Sequence, residues 1–280
     1  FVTRVTVEEV ARGRWECPVM LVVTHEVSWA RGFAGGVSRV ARGVPMEQAI
    51  HALRAAGVDP QRALAGWRSP TITPLHLDQV IRSVREGGEA APTRTADLIT
   101  ARIGALGADA RALLQVMSVL GEDSLIEDLQ TLLPEHCDLE RALMPLAAAG
   151  MVDRSARGLR AAHPMILEVA EASMPAAVRR EMYARACDLV EDRSIPIDVR
   201  ARMTFHAERN LEAMFLLEQV AERAAARGDD ESSIEALRLA LEAARRDSRT
   251  DAEGRPSEVV LVFGRKLGDA LLRAGRLVEA

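Results

Sequence analysis

A mainly α protein with one buried strand near its start is the fold class this sequence predicts, and three observations predict it. Aromatic residues make up 3% of the chain against 48% hydrophobic, which suits small-residue helix packing better than large sheets. Ala and Leu, punctuated by Arg and Glu, recur at helical spacing. Only one run, Val19 to Val23, is continuously apolar in the manner of a strand buried on both faces.

The 280 residues leave room for two or three domains. A short helix is expected from Thr6 to Gly13, followed by the strand, which Pro18 leads and Thr24-His25 ends. Open α/β sheets place ligands at the carboxyl ends of their strands, so Thr24 and His25 stand where a site belongs, and equally where a plain polar turn would stand. The glycine cluster Gly32, Gly35 and Gly36 has no following Lys-Ser/Thr and reads as a flexible loop.

Helices are predicted over Met46–Ala56 and Gln61–Trp67, with Gly57-Val58-Asp59-Pro60 as the break. Thr73-Pro74 opens the next, with Leu75, Leu77, Val80, Ile81 and Val84 as its apolar stripe and Gly87-Gly88 as its end. Residues 89–95, which include Pro92, form a linker. Three more helices follow at Ala96–Leu106, Ala108–Leu120 and Leu125–Leu133, and a fourth runs from Leu139 to Ala149 and stops at Gly150. Two strand-like pieces, Met151–Arg154 and Leu159–Ala162, flank a turn at Gly158. Helices followed by such a strand pair read as a winged-helix domain.

The stretch from Arg160 to Ala186 is the most informative. Pro164 suits a first helical position, where no backbone N–H is needed. His163 then falls at the N-cap, beside free N–H groups and the positive end of the helix dipole, where an anion such as a phosphate can bind. A histidine that simply caps its helix is the competing reading. Met165, Ile166, Val169 and Ala170 give this helix its apolar face, and Met174-Pro175 separates it from an Arg/Ala-rich successor.

Helical hairpins close the chain. One turns at Gly228-Asp229-Asp230 and a second at Gly275-Arg276, with small residues such as Ala221 and Gly268 at matching positions. Tetratricopeptide units are built this way. Gly228 and Gly275 lie 47 residues apart, more than the roughly 34-residue repeat of that family, and the polar stretch from Asp247 to Ser257 takes up the excess. The chain starts at Phe1 without an initiator methionine and stops at Ala280 inside an expected helix, as a piece of a longer protein would.

Net charge is −5 and the pI about 5.8, which argues against a dominant nucleic-acid surface. Glu127 and Asp128 make the Leu125–Leu133 helix acidic, unlike a DNA-reading helix. Cys17, Cys137 and Cys187 form no disulfide framework, and no signal peptide or apolar run of membrane length is present, so a cytoplasmic location is expected. There is no phosphate loop, no zinc-ligand spacing among the six histidines and no identifiable nucleophile, so no catalytic centre is expected in this chain.

Taken in order, these pieces resemble the STAND class of signal-transduction NTPases. CPVMLVVTH resembles the sensor-1 strand of its nucleotide-binding domain. ITPLHLDQVIRSVREGG is similar to its Gly-x-Pro-Leu helix, which would set Pro74 against an adenine. TADLITARIGALGADARALLQVMSVLG looks like the start of its winged helix, and HPMILEVAEASM like its Met-His-Asp-type motif, which would set His163 at the β-phosphate of ADP. Ile72 stands where that family has Gly, His25 or Glu26 where a sensor arginine is usual, and Pro164 where the motif has Asp. The resemblance implies four segments: the C-terminal strand region of an NTPase core (1–36), a helical lid (37–91), a winged helix (92–190) and truncated tetratricopeptide-like repeats (191–280). It further implies ADP or ATP, with Mg, in a parent ATPase fused to a kinase, cyclase or transcription-regulator output domain. Thr24, His25, Pro74 and His163 would be its nucleotide contacts, and the repeats would sense a protein or peptide partner. A non-catalytic interaction scaffold with a decayed nucleotide site is the alternative.

Overall fold

The computed structural model describes residues 43–88, 94–121, 124–247 and 257–279. The expected strand Val19–Val23, the helix before it, Cys17, Thr24, His25 and the glycine cluster all lie outside the described residues. Within them the protein is mainly helical, with two small antiparallel sheets. It divides into two compact units, one within Val40–Met182 and one within Tyr183–Ala280.

The first unit opens with a ribbon in which β1 (Val44–Pro45) pairs with β2 (Thr71–Ile72), Val44 opposite Ile72. Between them lie α1 (Met46–Ala55) and α2 (Pro60–Ala63). The second helix is shorter than the spacing predicts, because the chain turns at Gly66 with φ of 83°. Asp59 caps it by accepting from the Gln61 N–H at 3.0 Å. Helix α3 (Pro74–Arg85) begins at the expected Thr-Pro pair, with the Thr73 hydroxyl accepting from the His76 N–H at 3.2 Å. Leu53, Val58, Ile72, Leu77 and Val80 form the core of this segment together with Leu98 from the next helix.

That next helix, α4 (Thr95–Ala105), begins a second segment with α5 (Ala108–Leu120), α6 (Ile126–Leu132), α7 (Leu139–Ala148) and α8 (Pro164–Ala172). Strands β3 (Ser124–Leu125), β4 (Val152–Arg154) and β5 (Gly158–Ala161) form one sheet in the order β3-β5-β4. Leu125 therefore belongs to a strand rather than to the helix that the pattern extends through it. Gly158 lies inside β5, not at the turn. A Cβ there would sit 2.0 Å from the Ser124 carbonyl oxygen, so glycine is what lets β3 approach. Asp128, one of the two residues that make this helix acidic, is buried in the first turn of α6, where the helix dipole favours a carboxylate.

Helix α9 (Ala176–Leu189) spans the division between the units. The second unit continues with α10 (Ile197–His206), α11 (Asn210–Ala226), α12 (Asp230–Asp247) and α13 (Glu258–Arg273). Ala213 and Ala221 on α11 and Ala236, Ala240, Ala243 and Ala244 on α12 are buried in its core. Side chains of one carbon let neighbouring helices approach closely, and each burial adds little area, so many are needed. Three turns repeat one hydrogen-bond pattern. After α11 the Asp229 N–H reaches the Ala224 carbonyl, after α13 the Arg276 N–H reaches Leu271, and after α10 the Arg209 N–H reaches Thr204. Each needs a left-handed residue, supplied by Gly228 (φ 71°), Gly275 (φ 74°) and, against the usual preference, Glu208 (φ 56°).

Candidate functional site

His163 caps α8 with its own ring. Its backbone is extended (φ −154°), Pro164 takes the first helical position, and Nδ1 accepts the Met165 N–H at 3.1 Å. The Ile166 N–H is bonded to the His163 carbonyl at 3.0 Å. The first turn therefore offers fewer free N–H groups to an anion than the sequence suggests: proline has none, and the next two donors are used by His163 itself. What remains is the other ring nitrogen. With Nδ1 an acceptor, the neutral imidazole carries its proton on Nε2, a donor on a half-exposed side chain at the positive end of a helix.

Pro74 is exposed at the start of α3. Ile72, just before it, is a core residue of the β1–β2 ribbon and 1% exposed, so the position that resembles a family glycine serves packing here. The helices that Pro74 and His163 begin share a neighbour: α3 packs on α4, and α8 packs on α4 and α5. Thr24 and His25 lie outside the described residues.

The face of α4 that meets α3 carries Thr95, Leu98 and Arg102, one helical stripe. Thr95 Oγ1 bonds His76 Nδ1 at 3.0 Å, and the His76 ring lies 4.7 Å from that of Trp67. His76 is 2% exposed, and burial lowers its pKa below 6.5, so the ring is held neutral near pH 7. Arg102, 3% exposed, grips Glu86 with two bonds, Nε to Oε2 at 2.8 Å and Nη2 to Oε1 at 2.6 Å. Its Nη1 donates to Gln79 Oε1 and its Nη2 also reaches the Ala149 carbonyl at 2.6 Å. Arg82 binds Asp78 through Nε and sends Nη1 to that same carbonyl at 3.4 Å.

Of the apolar stripe expected on α3, Leu77 and Val80 are buried, and Leu75, Ile81 and Val84 are the other members. These three are half-buried, whereas His76 and Gln79 are fully buried. The available signal is phase: His76 and Gln79 flank Leu77 and Val80 on the face turned inward.

In the second unit a shallow groove of about 190 Å³ is lined by α11, α12 and α13, with Glu218 paired to Lys266 within it. A more enclosed pocket of about 240 Å³ lies beside Cys187, Arg200 and Arg209, whose guanidinium groups pair with Glu212 and Asp188. Burial raises the Cys187 thiol pKa, and burial with the nearby Asp109 raises that of Cys137, so neither is an activated nucleophile. Among the described residues no three His, Cys, Asp or Glu side chains are grouped to hold a metal, and no helix is long and apolar enough to cross a membrane.

No family model, curated protein or solved structure matches this chain.

Proposed function

We propose that this chain is the regulatory arm of a nucleotide-gated signal-transduction ATPase of the STAND type, held closed by ADP and read out through its helical repeats. The observation that carries the proposal is the His163 cap. A ring whose Nδ1 is committed to its own helix presents Nε2–H in a fixed direction, and a fixed donor at a helix N-terminus suits a phosphate oxygen. Support also comes from α3, where Thr73 and Pro74 set a rigid, exposed helix start suited to lie against an adenine ring. The order helix, strand, two helices, then a strand pair closing on β3 supports the winged-helix reading of the middle segment. Paired helices with left-handed glycine turns support the tetratricopeptide-like reading of the last. Mg and the phosphate loop belong, in this proposal, to the parent protein. The test is ADP affinity of that parent by calorimetry: His163→Ala weakens it about tenfold, the loss of one charge-assisted bond, and unchanged affinity contradicts the proposal.

A second reading is a non-catalytic scaffold that binds a protein or peptide on its hairpins. Two observations favour it: Ile72 is committed to the core, and Leu211 and Phe215 are 71% and 64% exposed one turn apart on α11. Tight ADP binding by the parent would dismiss it. DNA is a poor fit, since the helix directly before the strand pair, α7, exposes one base, Arg141, which is already paired with Asp109, beside Glu140 and the uncharged Met144, Pro145, Ala147 and Ala148.

A further inference from the structure

We infer that Arg102 is a positioning residue, the bolt of a polar lock that fixes α3 to α4 and α7 and so couples the segment bearing Pro74 to the segment bearing His163. The lock rests on geometry alone and stands whether or not a nucleotide binds. Four of the five N–H groups of one buried guanidinium are used, and they reach three separate places: the end of α3 at Glu86, its middle at Gln79, and the carbonyl of Ala149 after α7. A planar donor fork imposes both direction and distance, which an apolar contact does not.

Each partner gains from the arrangement. Glu86 caps α3 at the negative end of its dipole, where a carboxylate is unfavourable unless a cation stands against it. The Ala149 carbonyl follows the last turn of α7 and has no helical partner ahead of it, so two arginines, Arg102 and Arg82, converge where positive charge is favoured. Gly150 keeps the place open. Its φ of 61° suits glycine, and a Cβ there would meet Arg82 Nη1 at 1.9 Å. Apolar burial at this joint is small by comparison, Leu98 being the one residue of α4 in the core of the lid segment.

The same helix connects the lock to His163. One face of α4, Thr95-Leu98-Arg102, takes α3, while α4 also packs on α8, and its Ile103 and Gly104 line a cavity with Val169 of α8 and Ser173 just after it. A displacement of α3 is thereby passed to α8 through α4, with Arg102 as the rigid link.

Hydrogen exchange followed by mass spectrometry on the full 280-residue chain tests this. Arg102→Met keeps the length of the side chain and removes the fork. Exchange in residues 79–88 should then rise at least about tenfold, while residues 108–120 of α5 change less than about twofold. Glu86→Gln, at the exposed side of the lock, should act in the same direction with a smaller effect. The double variant Arg102→Met/Glu86→Met should recover part of the protection, because no charge is left without its partner. Unchanged exchange in 79–88 overturns the inference. So does equal loss of protection in α5, which would make Arg102 a core residue of the whole unit rather than a lock between its parts.

Discussion

The joint between α3 and α4 and the stack of α11 on α12 solve the same problem, helix against helix, by opposite means. In the first a buried arginine, a buried histidine and a glutamine make directional bonds around one leucine. In the second a row of alanines makes close, undirected contact, and charges such as Lys266–Glu218 and Arg276–Glu231 are left to the rim. Directional bonds specify one arrangement and are lost together when one partner is removed. Small-residue packing tolerates the loss of any one contact but not the addition of volume.

That contrast yields predictions in descending size. Arg102→Met should lower the local stability of α3 against α4, read from the exchange of residues 79–88, by about 3 kcal/mol, since Glu86 and Gln79 lose a partner together. Denaturant unfolding of this variant should leave the second unit's transition in place. Ala240→Leu, at a fully buried site on α12, should cost the second unit about 1–3 kcal/mol by overpacking, the reverse selectivity. Gly228→Ala should cost about 1 kcal/mol, because a Cβ is strained at φ of 71°. If each variant weakens both units alike, the contrast is wrong.

Acid sharpens the comparison further. The folded pKa of His76 lies below 6.5, so the unfolded chain binds the extra proton more readily as pH falls. The first unit therefore has its full stability above pH 6.5 and loses it progressively as pH falls toward the lowered folded value. His76→Leu should flatten that part of the profile, measured as the midpoint of thermal unfolding between pH 7.5 and 5, and a slope unchanged by the substitution would refute the assignment.

Much of this architecture was legible in the sequence because helix ends carry local signals. Thr73-Pro74, His163-Pro164, Gly150, Gly228 and Gly275 each mark a boundary through backbone chemistry that needs no tertiary context. Glu208 was not legible, since it takes the left-handed turn position without being glycine or asparagine. The strand β3 escaped notice because two residues carry no alternation, and it exists only where Gly158 admits it. The lock was hidden for a different reason: nothing local joins Arg102 to Gln79 and Glu86, and the Ala149 carbonyl it also binds comes from 47 residues further on. At His163 the sequence located the cap, while the structure showed that the helix's own donors are spent and that Nε2 is the group left to offer.

The most direct measurement is therefore the pair of ¹⁵N resonances of the His163 ring, followed by NMR as ADP is added to the proposed nucleotide-binding parent. Nδ1 should stay an acceptor throughout, while the Nε2 resonance moves on binding. An Nε2 resonance that does not move at saturating ADP would contradict the proposal.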